Sequence, residues 1–292
     1  MHTDNPRGIA AMTAAMAAFA VNDALMKLAS EALPVAQTIF VRGALVSLLL
    51  FTMAWARGAL AYWHVLFKPA VLARGVLETT GSFGYLIALA HIPLATALAI
   101  NMATPLVMMP FAVLLLGEDI RWRRWATLAV GFVGILLVMR PGPEGINWWV
   151  LLSFATTIAF ALRDVHTRRI AVGIPSILVT AGSAAMFTLV AGVVVAFEGW
   201  QPVAMPALLE LGAAAILVGV GMHLLVVATR ISEASVVAGF RYTALVWGVV
   251  IGYFVWGHMP DALGWTGIGL VVCAGLYAAH RERVRRHEKV GG

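Results

Sequence analysis

Ten apolar stretches alternate with short polar connections along the chain, at 8–29, 34–56, 69–90, 93–116, 124–140, 147–168, 175–197, 206–229, 234–256 and 263–280. Each approaches the roughly 20 residues that an α-helix needs to cross about 30 Å of hydrocarbon. Pro34, Pro69, Pro175 and Pro206 open four of them, where a missing backbone N–H costs nothing. The pattern predicts an all-α integral membrane protein of ten transmembrane helices, with no soluble domain inserted between them.

The ten stretches fall into two related halves. Ala18-Phe19-Ala20-x-x-Asp23 returns 141 residues later as Ala159-Phe160-Ala161-x-x-Asp164. At the same offset Pro34 meets Pro175, and Gly134…Arg140 meets Gly275…Arg281. Residues 1–142 and 143–292 therefore read as two five-helix repeats. Five crossings is an odd number, so the second repeat must lie upside down relative to the first. Inverted repeats place their special sites between the halves near the membrane midplane, where rocking exposes them to either side. An alternating-access transporter is the expectation.

Composition narrows this further. Hydrophobic residues make up 61% of the chain and charged residues 12%, against about 45–50% and 25% in soluble domains. The formal net charge of +6 would suggest nucleic acid in a soluble protein. Here the cations gather in the connections and the tail, where they set orientation. Fourteen fall on the side of the N-terminus and two, Lys27 and Arg140, on the other. Both termini are thus expected in the cytoplasm, with the protein in the inner (plasma) membrane and no nucleic-acid partner. Trp55, Trp122, Trp125, Trp148, Trp149, Trp200, Trp256 and Trp265 fall near the predicted helix ends, as interfacial anchors do. Trp247 lies mid-helix. One cysteine, Cys273, excludes a disulfide framework or a thiolate metal cage. No metal and no cofactor are expected.

Ionisable residues within membrane spans are costly and mark functional interiors. Arg42, Arg74, Arg163 and Arg241, with Asp23, Glu78, Asp164 and His223, lie inside the predicted helices. Counting helical rise, Asp23 and Arg42 lie about 9–12 Å from the outer boundary, and Glu78, Arg163, Asp164, His223 and Arg241 about 8–14 Å from the inner one. One reading is a pair of gates: Asp23 with Arg42 outside, and Arg241 with Asp164 or Glu78, beside Arg163, inside. The other is pairing within single helices, since Asp23–Lys27, Arg74–Glu78 and Asp164–Arg168 are spaced i,i+4. Glu78 and Asp164 each have a cation close by in sequence, which argues for transport without obligatory proton movement.

Polar stripes locate the candidate cavity. Glu78, Gly81, Ser82 and Tyr85 share one face of the third helix, and Asn101, Thr104, Pro105 and Met108 share one face of the fourth. With the offset drifting to 139, the latter stripe falls on Phe240, Thr243, Ala244 and Trp247 in the ninth helix. The cavity set is Glu78, Ser82, Tyr85, Asn101, Thr104, Pro105, Met108, His223, Phe240, Thr243 and Trp247. Small and hydroxyl residues also mediate plain helix packing in lipid, as the ridge Ala10, Ala14, Ala18 and Asn22 and the pair Gly131 and Gly134 suggest. Pro105 and Pro110 interrupt the fourth helix and free the carbonyls of Asn101 and Leu106; these could coordinate a substrate ammonium, act as a hinge, or sit in a packed kink.

Ten spans in two inverted five-span halves, a proline in the middle of the fourth helix, and Gly117-Glu118 closing it resemble the drug/metabolite transporter superfamily. The second-half counterpart is Gly257-His258. Within the superfamily the chain resembles the EamA-type exporters, and most of all the YddG amino-acid exporters. The resemblance implies a cavity between two helix bundles, export of aromatic and other mostly neutral amino acids, and a monomer or homodimer in lipid. Small four-span members of the superfamily use a Glu inside the first helix to bind cations and protons. This chain has Asn22-Asp23 there, near the outer end, which departs from a proton-driven drug mechanism. Amphipathic drugs or organic cations form the alternative substrate class. An intramembrane enzyme is the alternative from another class, but neither His-Glu-x-x-His nor an aspartate-rich diphosphate motif occurs. A phosphate substrate would call for cations at the midplane, and none lie there. A neutral amino acid, held by Asn101, the threonines and an aromatic or Met surface, fits best.

Overall fold

The computed structural model describes residues 5–116, 122–139, 147–167, 170, 174–232, 237 and 239–290. These are helical throughout, apart from turns and short connections. Six segments, Asn5–Ala32, Val35–Ala56, Leu94–Leu115, Trp148–Thr167, Ser176–Glu198 and Met205–Thr229, are each long and apolar enough to cross a membrane. Trp125–Met139, Thr243–Trp256 and Ala262–Tyr277 are shorter apolar helices. No candidate span has more than 44% of its most apolar window buried inside the protein. Leu48, Leu114, Leu189, Phe197, Leu209, Ile216 and Phe254 point outward. An apolar shell of this extent is solvated by lipid.

The helices are α1 (Asn5–Ala32), α2 (Val35–Ala56), α3 (Pro69–His91), α4 (Leu94–Asn101), α5 (Thr104–Leu116), α6 (Trp122–Met139), α7 (Trp148–Thr167), α8 (Ser176–Glu198), α9 (Met205–Ile231), α10 (Thr243–Trp256) and α11 (Ala262–Val290). Proline starts them as expected: Pro34 and Pro175 cap α2 and α8, and Pro69 opens α3. Gly257 ends α10 with φ of 67°, a left-handed conformation that favours glycine.

Three features differ from the sequence expectation. The stretch 93–116 is two helices, broken at Met102 and Ala103. The stretch 234–256 is interrupted by a turn at Arg241 and Tyr242. The connection at 57–68 contains a 3-10 helix, Ala59–Phe67, that packs Ala59 and Val65 against Leu178 of α8.

The packing pairs α1 with α9, α2 with α8, α3 with α7, α4 with α10 and α6 with α11. Exchanging each residue for its counterpart 141 positions away carries α1–α9 onto α7–α3 and returns α2–α8 and α6–α11 onto themselves, so four of these five pairs are preserved. The Phe19 ring on α1 covers Gly221 of α9, where an added Cβ would meet it at 2.8 Å. The Phe160 ring on α7 covers Gly81 of α3 in the same way, at 2.7 Å. Ser47 of α2 and Thr188 of α8 are themselves 141 residues apart, and their hydroxyls meet at 3.2 Å. Among the described residues, a close backbone crossing joins α6 and α11. A Cβ at Gly134 would lie 2.8 Å from the Gly267 carbonyl oxygen, and one at Gly267 would lie 2.7 Å from that of Gly134. Gly131 also packs tightly, against Leu106. On α1 the buried side runs through Met12, Ala15, Met16, Ala18, Ala20 and Asn22, whereas Ala10 and Ala14 are exposed. The expected alanine ridge is packed only in its second half.

Candidate functional site

One polar cluster joins α3, α7 and α8. Arg163 of α7 donates through Nη1 to Glu78 Oε2 of α3 at 2.9 Å. Its Nε donates to Asp164 Oδ1 at 2.8 Å, and Nη2 lies 2.7 Å from the same oxygen. The guanidinium also lies over the Phe160 ring at 4.8 Å, a cation–π contact on one face. Ser82 Oγ donates to Glu78 Oε1 at 3.4 Å. Arg74 Nη2 approaches Glu78 Oε2 at 3.8 Å, the i,i+4 contact read from the sequence. Arg74 also reaches Ser183 of α8 through Nη1 at 2.6 Å and Thr167 through Nε at 3.0 Å.

A second cluster lies among α1, α2 and α3. Tyr85 donates its hydroxyl to Asp23 Oδ2 at 2.8 Å. Asn22 Nδ2 donates to Asp23 Oδ1 at 2.8 Å. Asn22-Asp23 and Arg163-Asp164 occupy matching positions in the two halves, and each forms a bond from the first residue to the carboxylate of the second. Arg42 on α2 lies within electrostatic reach of Asp23 and Glu78. It makes ion-pair contact with neither, and its Nε is buried without a hydrogen-bond partner.

The two helix breaks resemble each other. Thr104 Oγ1, at the start of α5, donates to the Asn101 carbonyl at 2.5 Å and approaches Asn101 Oδ1 at 3.2 Å. Thr243 Oγ1, at the start of α10, donates to the Phe240 carbonyl at 2.6 Å. Thr157 of α7 reaches the Ile100 carbonyl at 3.3 Å and ties the first break to the other half. The Asn101 carbonyl expected to be free at Pro105 is thus occupied by the Thr104 hydroxyl. Pro105 itself is exposed and Met108 half-buried. Trp247 is half-buried against Met12, Met16 and Ala228, with Phe19, Met102 and Phe240 around the same cluster.

Several sequence assignments fall elsewhere. Lys27 does not pair with Asp23: it is buried, and its Nζ donates to the Leu89 carbonyl at 2.6 Å and the Ile92 carbonyl at 2.8 Å. It lies 5.7 Å from the Trp256 ring centroid, while Trp256 Nε1 donates to Glu31 at 2.7 Å. Arg241 and His223 are exposed, and Glu78 and Asp164 are engaged by Arg163 instead of Arg241. Gly117, Glu118, Arg121, Arg140, Arg168 and Arg169 lie outside the described residues. The sequence offered one signal for the bond that was missed: Tyr85 shares a face with Glu78 on a helix that must pass close to Asp23.

A lipid-facing helical shell around charged clusters that cross between helices defines a multi-pass membrane protein with a polar interior, and comparison with known proteins gives the class. The EamA-like transporter family matches residues 6–140. The pseudopaline exporter CntI of Pseudomonas aeruginosa is 30% identical over 88% of this chain and 90% of its own length. The S-adenosylmethionine uptake transporter of Rickettsia prowazekii is 27% identical over 90% of this chain and 89% of its own. A crystal structure superposes with a TM-score of 0.62 over 96% of this chain and 99% of that chain at 20% identity, a likeness of fold alone. The chain belongs to the EamA-like transporter family.

Proposed function

We propose that the protein is a ten-span transporter of two inverted five-helix repeats, residues 1–142 and 143–292, that exports amino-acid-type zwitterions from the cytoplasm by alternating access. Both termini lie in the cytoplasm and the protein resides in the inner membrane. The observation that carries this reading is the packing scheme. Four of its five pairs are preserved by the 141-residue exchange, and Phe19 on Gly221 and Phe160 on Gly81 repeat one another with the glycines 140 apart. Two halves related in this way can rock into mirror-image states around one central site.

The two charged clusters act as gates on this reading. Arg163 ties α3 of the first half to its own half through Glu78 and Asp164 and closes the inner side. Asp23 and Arg42 stand apart on the outer side. Tyr85 is buried in the outer cluster against Asp23, and the central surface between the clusters carries Asn101, Thr104, Met108, Phe240, Thr243 and Trp247. Its rings and thioether offer dispersion contact without fixed charge, which suits apolar and aromatic side chains. One relative named above takes up S-adenosylmethionine and the other exports pseudopaline. The former substrate carries an amino-acid head, which supports a zwitterion site.

The test is flux in proteoliposomes of defined orientation, with a labelled neutral amino acid and unlabelled competitors. Phenylalanine, methionine and S-adenosylmethionine are expected to compete. Inhibition by riboflavin or phosphorylated sugars but by no amino acid rejects the reading.

A further inference from the structure

Among the described residues three arginines, Arg42, Arg74 and Arg163, stand in the interior of the bundle, and one differs from the other two. Arg163 is paired with two carboxylates and lies over an aromatic ring, and Arg74 bonds Ser183 and Thr167 and approaches Glu78. Arg42 is not paired in this way. A guanidinium in a low-dielectric interior is costly unless it is paired or faces a wet cavity, and the buried Nε of Arg42 has no hydrogen-bond partner. Every anion nearby is engaged: Glu78 by Arg163 and Arg74, and Asp23 by Tyr85 and Asn22. Asp23 nevertheless accepts only two hydrogen bonds from these neighbours, about half of what a carboxylate can take. Asn22 is 4% exposed, and because its amide nitrogen faces Asp23 its Oδ1 is left buried without a donor. An amide flip would set oxygen against carboxylate oxygen, so this orientation is fixed by its partner. The region thus offers one unfilled cationic donor and unfilled acceptors on facing helices.

We propose that Arg42 binds the carboxylate, and Asp23 with Asn22 the ammonium, of the transported zwitterion. The inference rests on the amino-acid reading above and adds the head-group site to it. An α-amino acid spans two groups that feel each other's charge but do not touch. The substrate head therefore completes the outer pair instead of competing with it. The inner cluster, where Arg163 stands in the place of Asn22, supplies its own cation and binds no head group.

The proposal is tested by binding of labelled L-phenylalanine to the purified protein in detergent, with two competitors. Phenylalanine amide lacks the carboxylate and 3-phenylpropionate lacks the ammonium. Both are expected to compete about tenfold or more weakly than phenylalanine, the size of a lost charge-assisted hydrogen bond. Arg42→Gln should weaken phenylalanine by a similar factor and leave the amide within about twofold of its wild-type value. Asp23→Asn should weaken phenylalanine and leave phenylpropionate unchanged. Arg42→Lys, which keeps the charge but not the fork, should fall between. Equal weakening of phenylalanine and the amide in Arg42→Gln overturns the assignment. If that variant does not fold, equal competition by phenylalanine and its amide in the wild type overturns it instead. Absence of any amino-acid binding to the wild type removes the amino-acid reading itself and this inference with it. Binding without discrimination among analogues removes only the head-group site.

Discussion

At the scale of single residues, the structure separates cations that anchor from cations that act. Lys27 counts among the outer charges by position, yet its ammonium ends inside the protein, on the last carbonyls of α3. Those carbonyls have no partner within their own helix, and a buried cation at a helix C-terminus complements its dipole. Lys27→Met should cost about 1.5–3 kcal/mol, the range for hydrogen bonds to a charged group, read as a lower thermal midpoint in detergent. An unchanged midpoint would show the capping to be without energetic weight. Arg163→Ala should act differently. It frees Glu78 and Asp164 at once, and on the gate reading it opens the inner side. A cysteine placed at Ser82 in a Cys273→Ala background should then be alkylated faster from the cytoplasmic face. Equal labelling rates would remove Arg163 from the gate. Asp23, Arg42, Glu78 and Arg163 were legible as candidates because charge in an apolar run is conspicuous. Their partners were not: i,i+4 spacing found Arg74–Glu78, but Lys27 to α3 and Tyr85 to Asp23 depend on how helices cross.

At the scale of elements, length and apolarity gave the helices, and proline gave their starts. The breaks were half legible. Pro105 marks the first, whereas the second, at Arg241 and Tyr242, has no proline; only the threonine that closes it, Thr243, betrays it through its match to Thr104. The 3-10 segment at 59–67 is apolar and short, and no period distinguishes it from a loop. Helix α3 shows how context overrides hydropathy. Arg74, Glu78, Thr79 and Ser82 leave it less apolar than its neighbours, and it is packed between α7 and α8. The α6–α11 crossing offers a direct test. Gly134→Val places a side chain against the Gly267 backbone, which cannot yield as a flexible side chain can, so a loss of about 1–3 kcal/mol is expected from overpacking. Gly269→Val, on the same helix α11 but with nothing within 4 Å of its Cβ position, should leave the thermal midpoint unchanged. Equal effects of the two would show that the crossing is not tight.

For the whole molecule, the central expectation is rigid-body rocking about a pseudo-two-fold axis. On the proposed repeats this axis passes where a residue meets its own counterpart, at Ser47 and Thr188. Points on the axis move least during rocking. A double substitution S47C/T188C, again without Cys273, should therefore cross-link on oxidation and still permit flux, because the hydroxyl separation of 3.2 Å is compatible with bridging after modest adjustment. A cross-linked protein that no longer transports would place the pivot elsewhere.

The same contact has a meaning for heredity. In an ancestor that encoded a single repeat and assembled as an antiparallel pair, one codon would have specified both sides of this hydrogen bond. Any change there would have struck twice. After duplication the two copies became independent, and one could settle as serine while the other became threonine. Thr188 also donates to the Ala184 carbonyl at 2.8 Å, so it keeps a partner if Ser47 is lost, whereas Ser47 depends on Thr188. Change should therefore be tolerated sooner at position 47 than at position 188.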